Sequence, residues 1–190
     1  MTKRELVIGV TGGVAAYKTA ALVSQLVQSG AGVSVVMTRA AEKFIGPATF
    51  AALTGRPVLR EMFDDSQHPL GVHIELADQA ELLCVAPATA GFLAKAAGGM
   101  ADDLLSTLYL AFSGTVLMAP AMNNQMWEKP SVQRNIETLR TDGVHIIGPE
   151  EGWLSCRKQG LGRMSSPEQI FTEIELALTN NKSQIINHKS

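Results

Sequence analysis

Short aliphatic runs alternate with segments of helical periodicity along most of the chain. LVIGV (6–10), VSVVM (33–37), PVLR (57–60), LLCVAP (82–87), TVLMAP (115–120) and HIIGP (145–149) are continuous in their apolar residues. Continuous runs, unlike alternating ones, mark strands covered on both faces, and parallel neighbours of that kind need crossover helices. Helical spacing supplies these over 14–29, around 47–55, and over 92–99, 103–112 and 131–143, with Gly143 at the last stop. The pattern predicts a doubly wound α/β fold. It is a three-layer α/β/α, Rossmann-like arrangement around a six-stranded parallel sheet of order 3-2-1-4-5-6. A single domain, 1–178, takes all of it, and TNNKSQIINHKS (179–190) reads as a polar, disordered tail.

In that strand order the winding reverses between the first and fourth strands, which is where such sheets bind ligands. The loops meeting there are TGGVAAYK and APATAGF, with APAMN after the fifth strand close by. Thr11-Gly12-Gly13 ahead of a helix offers bare backbone N–H groups to a phosphate, and equally makes a tight turn with no ligand. It is not GxGxxG. The third glycine is missing, and the second strand ends in Met37-Thr38-Arg39 rather than an acidic residue, so a mononucleotide phosphate fits better than NAD. Thr38 adds a hydroxyl at the same edge or caps the next helix. Asn123 either donates its carboxamide to a substrate carboxylate or caps a turn. His73 opens HIELADQAEL, where packing or capping competes with catalysis.

Cys156 lies in GWLSCRKQGLGRM, among Gly152, Gly160 and Gly162. One reading is a flexible flap carrying a thiol activated by Arg157 and Lys158; the other is a disordered connector before the last helix. Arg157 itself either keeps that thiol acidic or meets a substrate phosphate. Cys84, inside a strand, is the core counterpart.

Composition narrows the partners. The chain is 46% hydrophobic, and its 18% charged residues carry a net charge of −2, which excludes a basic surface for nucleic acid or an anionic membrane. Two cysteines and four histidines show no metal-ligand spacing, so no metal is expected. No apolar run reaches the ~18 residues of a membrane span and no signal-peptide pattern opens the chain, which points to the cytoplasm.

GVTGGVAAYK, HIELA, APATAGF, GGMADDLLSTLYLA, APAMNNQMW and a cysteine flap ending GLGRM follow one another between about residues 5 and 167. Together they resemble the flavin-dependent cysteine decarboxylases, and within them the branch acting on 4′-phosphopantothenoylcysteine in coenzyme A synthesis. The resemblance implies FMN held by Gly12, Gly13 and Val14, by Thr38, Arg39 and Ala40, by Thr89, Ala90, Gly91 and Phe92, and by Ala121. It implies catalytic positions for His73, Asn123 and Cys156, with Met122, Asn123, Leu154 and Ser155 about a small-molecule substrate. A homotrimer, or an assembly of trimers such as a dodecamer, follows from it, with flavin at subunit contacts. The implied chemistry oxidises the thiol to a thioaldehyde, releases CO₂, and reduces the enethiol back with FMNH₂ to 4′-phosphopantetheine. Many bacterial relatives continue into a ligase domain joining phosphopantothenate to cysteine. This chain is too short to hold one, so a separate ligase is expected.

Gly91 stands where the family usually has Asn or Asp, and Ser155 and Arg157 replace the commoner Ala and Gly beside the cysteine. Competing readings are a decarboxylase of C-terminal peptidyl cysteine, which stops at the oxidised product, a non-catalytic FMN-binding regulatory protein, and a flavin prenyltransferase. As the resemblance has it, the peptidyl enzymes lack the flap cysteine that this chain keeps.

Overall fold

Successive residues of a strand point to opposite faces of the sheet, and β1 (Glu5–Val10) feeds two cores in this way. Leu6, Ile8 and Val10 join one, Val7 the other. The computed structural model describes residues 4–62, 71–155 and 157–187. In it β1, β2 (Gly32–Met37), β3 (Leu82–Ala88), β4 (Thr115–Pro120) and β5 (His145–Ile146) form one parallel sheet in the order β2-β1-β3-β4-β5.

Helices cover both faces. Against the first core lie α1 (Ala16–Gln28), α2 (Pro47–Thr54) and α8 (Pro167–Asn187), through Leu22, Leu26, Phe50 and Ile174. Against the second lie α3 (Val72–Gln79), α4 (Ala90–Ala97), α5 (Leu104–Ala111) and α7 (Pro130–Thr141), through Leu76, Leu93, Leu105 and Ile136. Each such side chain, fully removed from water, contributes about 1.5–3 kcal/mol. A single-turn helix, α6 (Asn124–Trp127), sits between β4 and α7.

Three expectations change. The sheet has five strands, not six: PVLR makes only one bridge, Val36 to Leu59, in which Leu59 N donates to Val35 O and Met37 N to Leu59 O, both at 2.9 Å. Pro57 has no N–H to extend that ladder, and the segment stays a fragment at the edge of β2. The strands that do form keep the expected order.

The glycine-rich segment after β5 is a hairpin rather than a structureless connector. Its strands β6 (Glu150–Trp153) and β7 (Gln159–Arg163) pair antiparallel, with Gly152 opposite Gly160. Gly162 seats it on the sheet: at φ 147° it accepts a hydrogen bond from Met122 N at 2.9 Å, and a Cβ there would lie 2.3 Å from Met122 O. Only glycine permits that approach.

Finally, α8 runs through 187, over most of the stretch read as a disordered tail. Once Ile170, Ile174 and Leu178 dock the helix in the core, adding a further residue costs little because nucleation is already done. Residues 188–190 lie outside the described ones. Among the described residues no helix is long and apolar enough to cross a membrane, and no three His, Cys, Asp or Glu side chains group as a metal site.

Candidate active site

The site begins with a residue that the motif reading passed over. Thr11, buried at the end of β1, donates its hydroxyl to Pro87 O at 2.6 Å and accepts from Thr89 N at 3.0 Å. One side chain therefore ties the loop after β1 to the loop after β3, the two loops flanking the point where the winding reverses. Beyond it, Gly12 lets the backbone approach Ala40, where a Cβ would sit 2.5 Å from the Ala40 methyl. The chain then enters α1, whose N-cap Ala15 has no side chain to satisfy the first N–H groups. By contrast, α4 is capped by the Thr89 hydroxyl, which accepts from Phe92 N at 3.4 Å. At α1 the backbone meets part of that need instead, Ala16 N donating to Gly13 O at 3.0 Å and Lys18 N to Ala15 O at 2.9 Å.

These loops enclose a cleft of about 570 Å³, within the range of small-molecule sites. Of the residues singled out from the sequence, it brings together Gly12, Gly13, Val14, Thr89, Ala90, Gly91, Ala121, Met122, Asn123, Leu154 and Ser155. A Cβ at Gly91 would meet nothing within 4 Å, so the cleft has space for a side chain there. Of the two readings of Asn123, the structure shows the capping one. Its Oδ1 accepts from Met126 N at 3.2 Å as the cap of α6, which leaves the amide N–H groups as its remaining donors.

The hairpin supplies the opposite wall through Trp153, Leu154, Ser155 and Arg163. Leu154 N donates to Lys158 O at 2.8 Å, closing the hairpin end, while Trp153 is left 67% exposed. Sequence reasoning missed Tyr17, Lys18, Met126, Trp153 and Arg163 as lining residues. Lys18 Nζ donates to Met164 O at 3.1 Å. Partial burial, then repulsion from Arg163, holds the Lys18 ammonium below its ordinary pKa, while Glu150 and Glu168 pull the other way. Lys18 broke a local rule that was visible in the sequence, because a cation in the first turn of a helix opposes the helix dipole.

Other expected residues lie elsewhere. Thr38 and Arg39 line a second hollow, of about 370 Å³, with Glu42, Arg60, Glu61, Asp102 and Asp103. The Thr38 hydroxyl is used locally, accepting from Ala41 N at 3.3 Å. Ala40 reaches the cleft only through its contact with Gly12, and Phe92 turns its ring into the core at 4% exposure. His73, in the first turn of α3, does not line the cleft with Asn123; its Nδ1 is buried with no hydrogen-bond partner among the described residues. Cys156 lies outside the described residues. Cys84 is buried in β3 and desolvation pushes its thiol up to about 12, so it stays protonated.

A parallel sheet with an uncapped glycine turn at its winding reversal defines a nucleotide-binding α/β protein of Rossmann type. A family model described as Flavoprotein matches residues 1–179, and the chain belongs to that family. The Coenzyme A biosynthesis bifunctional protein CoaBC of Haemophilus influenzae is 44% identical over 171 residues, covering 90% of this chain and 43% of that protein. Its namesake from Bacillus subtilis is 45% identical over 170 residues, 90% of this chain and 42% of that one. The chain thus spans less than half the length of these curated relatives. Among solved structures, the FMN-dependent cysteine decarboxylase SpaF superposes with a TM-score of 0.81 at 34% identity, over 94% of this chain and 97% of its own. A cysteine-to-serine mutant of PPC decarboxylase complexed with pantothenoylaminoethenethiol also gives 0.81, at 28% identity, over 92% and 97%.

Proposed function

We propose that this chain is an FMN-dependent decarboxylase that converts 4′-phosphopantothenoylcysteine to 4′-phosphopantetheine in coenzyme A synthesis. The observation that carries the reading is the convergence of three loops on one cleft: Gly12–Val14, Thr89–Gly91 and Ala121–Asn123. They fit a flavin mononucleotide. The glycine turn into α1, with no side-chain cap, suits its phosphate, and the small residues Gly13, Ala90, Gly91 and Ala121 suit a planar ring. Held there, FMN would supply reversible hydride chemistry at the thiol-bearing carbon, and with it the electron sink that the carboxylate otherwise lacks.

The remaining work belongs to the chain. Asn123, oriented by its bond to Met126 N, offers its amide hydrogens to the substrate carboxylate. The hairpin covers the cleft through Leu154 and Trp153 and keeps water from the reacting carbon. Cys156 protonates that carbon after CO₂ leaves. His73 acts as an acid/base or charge-orienting group, brought to the cleft by a second copy of the chain in a trimer or an assembly of trimers. That placement is supported by its absence from its own chain's cleft and by its unpartnered Nδ1. A cytoplasmic setting completes the reading.

Fold alone leaves open oxidative decarboxylation of a peptidyl cysteine, since SpaF and PPC decarboxylase superpose equally well. The greater identity to the CoaBC proteins and the presence of Cys156 favour the phosphopantothenoylcysteine reading. The test is the cofactor and the mass of the product. Purified chain should be yellow, release FMN on denaturation, and yield fully reduced 4′-phosphopantetheine. Cys156→Ser should yield the aminoenethiol, two hydrogens lighter. A chain that neither carries nor takes up FMN, or an unmutated chain that stops at the lighter thiol, overturns the proposal.

A further inference from the structure

Two cations in the cleft have no part in the chemistry so far. Lys18 projects from the first turn of α1, and Arg163 ends β7 on the hairpin side; both line the cleft that holds Asn123. They are near one another, since Lys18 Nζ binds the carbonyl of Met164, the residue after Arg163, at 3.1 Å. Arg163 is held by Glu150 at 2.7 Å, which fixes the guanidinium and leaves part of its donor fork unused. Lys18 makes one hydrogen bond among the described residues, and an ammonium has three donors.

The chemistry dictates which anion such a pair should hold. A carboxylate that leaves as CO₂ loses its charge on the way to the transition state. A cation gripping it would stabilise the starting state more than the transition state and slow the reaction. A neutral amide such as that of Asn123 suits the leaving carboxylate better. An anion that passes through the reaction unchanged can be held by full charges, and its binding helps to position the reacting end. A phosphate monoester carries about −1.5 to −2 at neutral pH, a match for a lysine and an arginine together.

We propose that Lys18 and Arg163 form a phosphate subsite that selects the phosphorylated form of the cysteine substrate. This rests on the decarboxylase reading above. The phosphate of the cofactor is the other source of the same chemistry, and the experiment separates the two.

The kcat/KM values for 4′-phosphopantothenoylcysteine and for unphosphorylated pantothenoylcysteine are compared in the FMN-loaded wild type, in Lys18→Gln and in Arg163→Gln. FMN content and thermal melting are measured beside them. The expected result is a wild-type preference for the phosphorylated substrate that falls about 10–100-fold in each variant, the scale of a lost charge-assisted hydrogen bond, with FMN content retained. A proportional loss on both substrates, or a variant that loses FMN instead, overturns the proposal. A wild type that turns over both thiols equally overturns it alone, leaving the decarboxylase reading intact. A wild type that turns over neither overturns that reading and the subsite with it. Should one variant fail to fold, the other gives the same ratio.

Discussion

Two hollows open at the carboxyl edge of the sheet, one among the loops after β1, β3 and β4 and the other beside the loop after β2. The smaller one is much the richer in charge. Arg39 faces Glu61 at 3.8 Å, Arg60 faces Glu42 at 3.5 Å, and Lys95 binds its wall residues Asp102 at 2.7 Å and Asp103 at 2.8 Å. Its cations therefore already have carboxylates. The larger cleft is walled largely by glycine, alanine and aliphatic groups, yet among the described residues it keeps donors without acceptors: the Asn123 amide and much of the Lys18 ammonium. Ligand chemistry belongs where donors are left over, and a dense set of mutually paired charges is mainly structural.

The largest expected effect tests whether the cleft is complete within one chain. His73→Asn and Asn123→Asp should each lower turnover by about 10²–10⁴-fold, the scale of a positioned acid/base or charge-stabilising donor. Both should retain FMN, and Asn123→Asp should still cap α6 through its remaining oxygen. Co-expressed in mixed assemblies, the two inactive variants should recover measurable activity, because some clefts will pair an intact Asn123 with an intact His73 from a neighbour. Assays of the mixed assemblies that stay at the level of the single variants would place His73 with its own chain's chemistry or with none.

An intermediate effect probes what keeps the larger cleft open. Thr11→Val removes a buried hydroxyl and leaves Pro87 O and Thr89 N without their partner, a cost of about 1–3 kcal/mol. Melting should fall accordingly, and FMN affinity should fall with it because the loops after β1 and β3 are no longer joined. The matching loss in the second hollow, Arg39→Gln, should leave both nearly unchanged, since the Arg39 side chain is 89% exposed. Equal effects of the two substitutions on FMN affinity, read by fluorescence titration, would erase the distinction between the hollows.

What could be read from sequence divides along a physical line. The strands from LVIGV, VSVVM, LLCVAP and TVLMAP were legible because a strand buried on both faces writes a continuous aliphatic run. PVLR misled because one proline decides whether a short apolar run at an edge can pair. The hairpin was invisible to hydropathy: EEGW and QGLGR are mostly exposed or half-buried, and their placement depends on glycine contacts with a loop far away in the chain. Thr11 was passed over for a related reason, since its partners lie 76 and 78 positions on. Asn123 was left between a cap and a carboxylate donor, and geometry assigns its Oδ1 to the cap. Phe92 was drawn into the cofactor set by its motif, while its side chain follows the helix period into the core.

The smallest expected effect sharpens the structural reading of the second hollow through its pH dependence. Asp103 caps α5 through Ser106 N at 2.8 Å and binds Lys95 at 2.8 Å. Burial alone would raise its pKa, but Lys95 and Ser106 together outweigh burial and hold the carboxyl below its ordinary value. A carboxyl whose folded pKa is depressed adds stability above its unfolded pKa and loses it as the pH falls through the folded one. Asp103→Asn keeps a capping oxygen and gives up the charge, so it isolates the Lys95 pair at about 1 kcal/mol, or roughly 2–4 °C in melting temperature. That gap between wild type and variant should be full at pH 7, begin to shrink near about pH 4 and close only below the depressed folded pKa. Turnover and FMN content at pH 7 should not move beyond what the lost stability explains. A gap that persists unchanged at pH 3, or a specific loss of FMN, would show that these charges serve the ligand after all and would join the two hollows into one site.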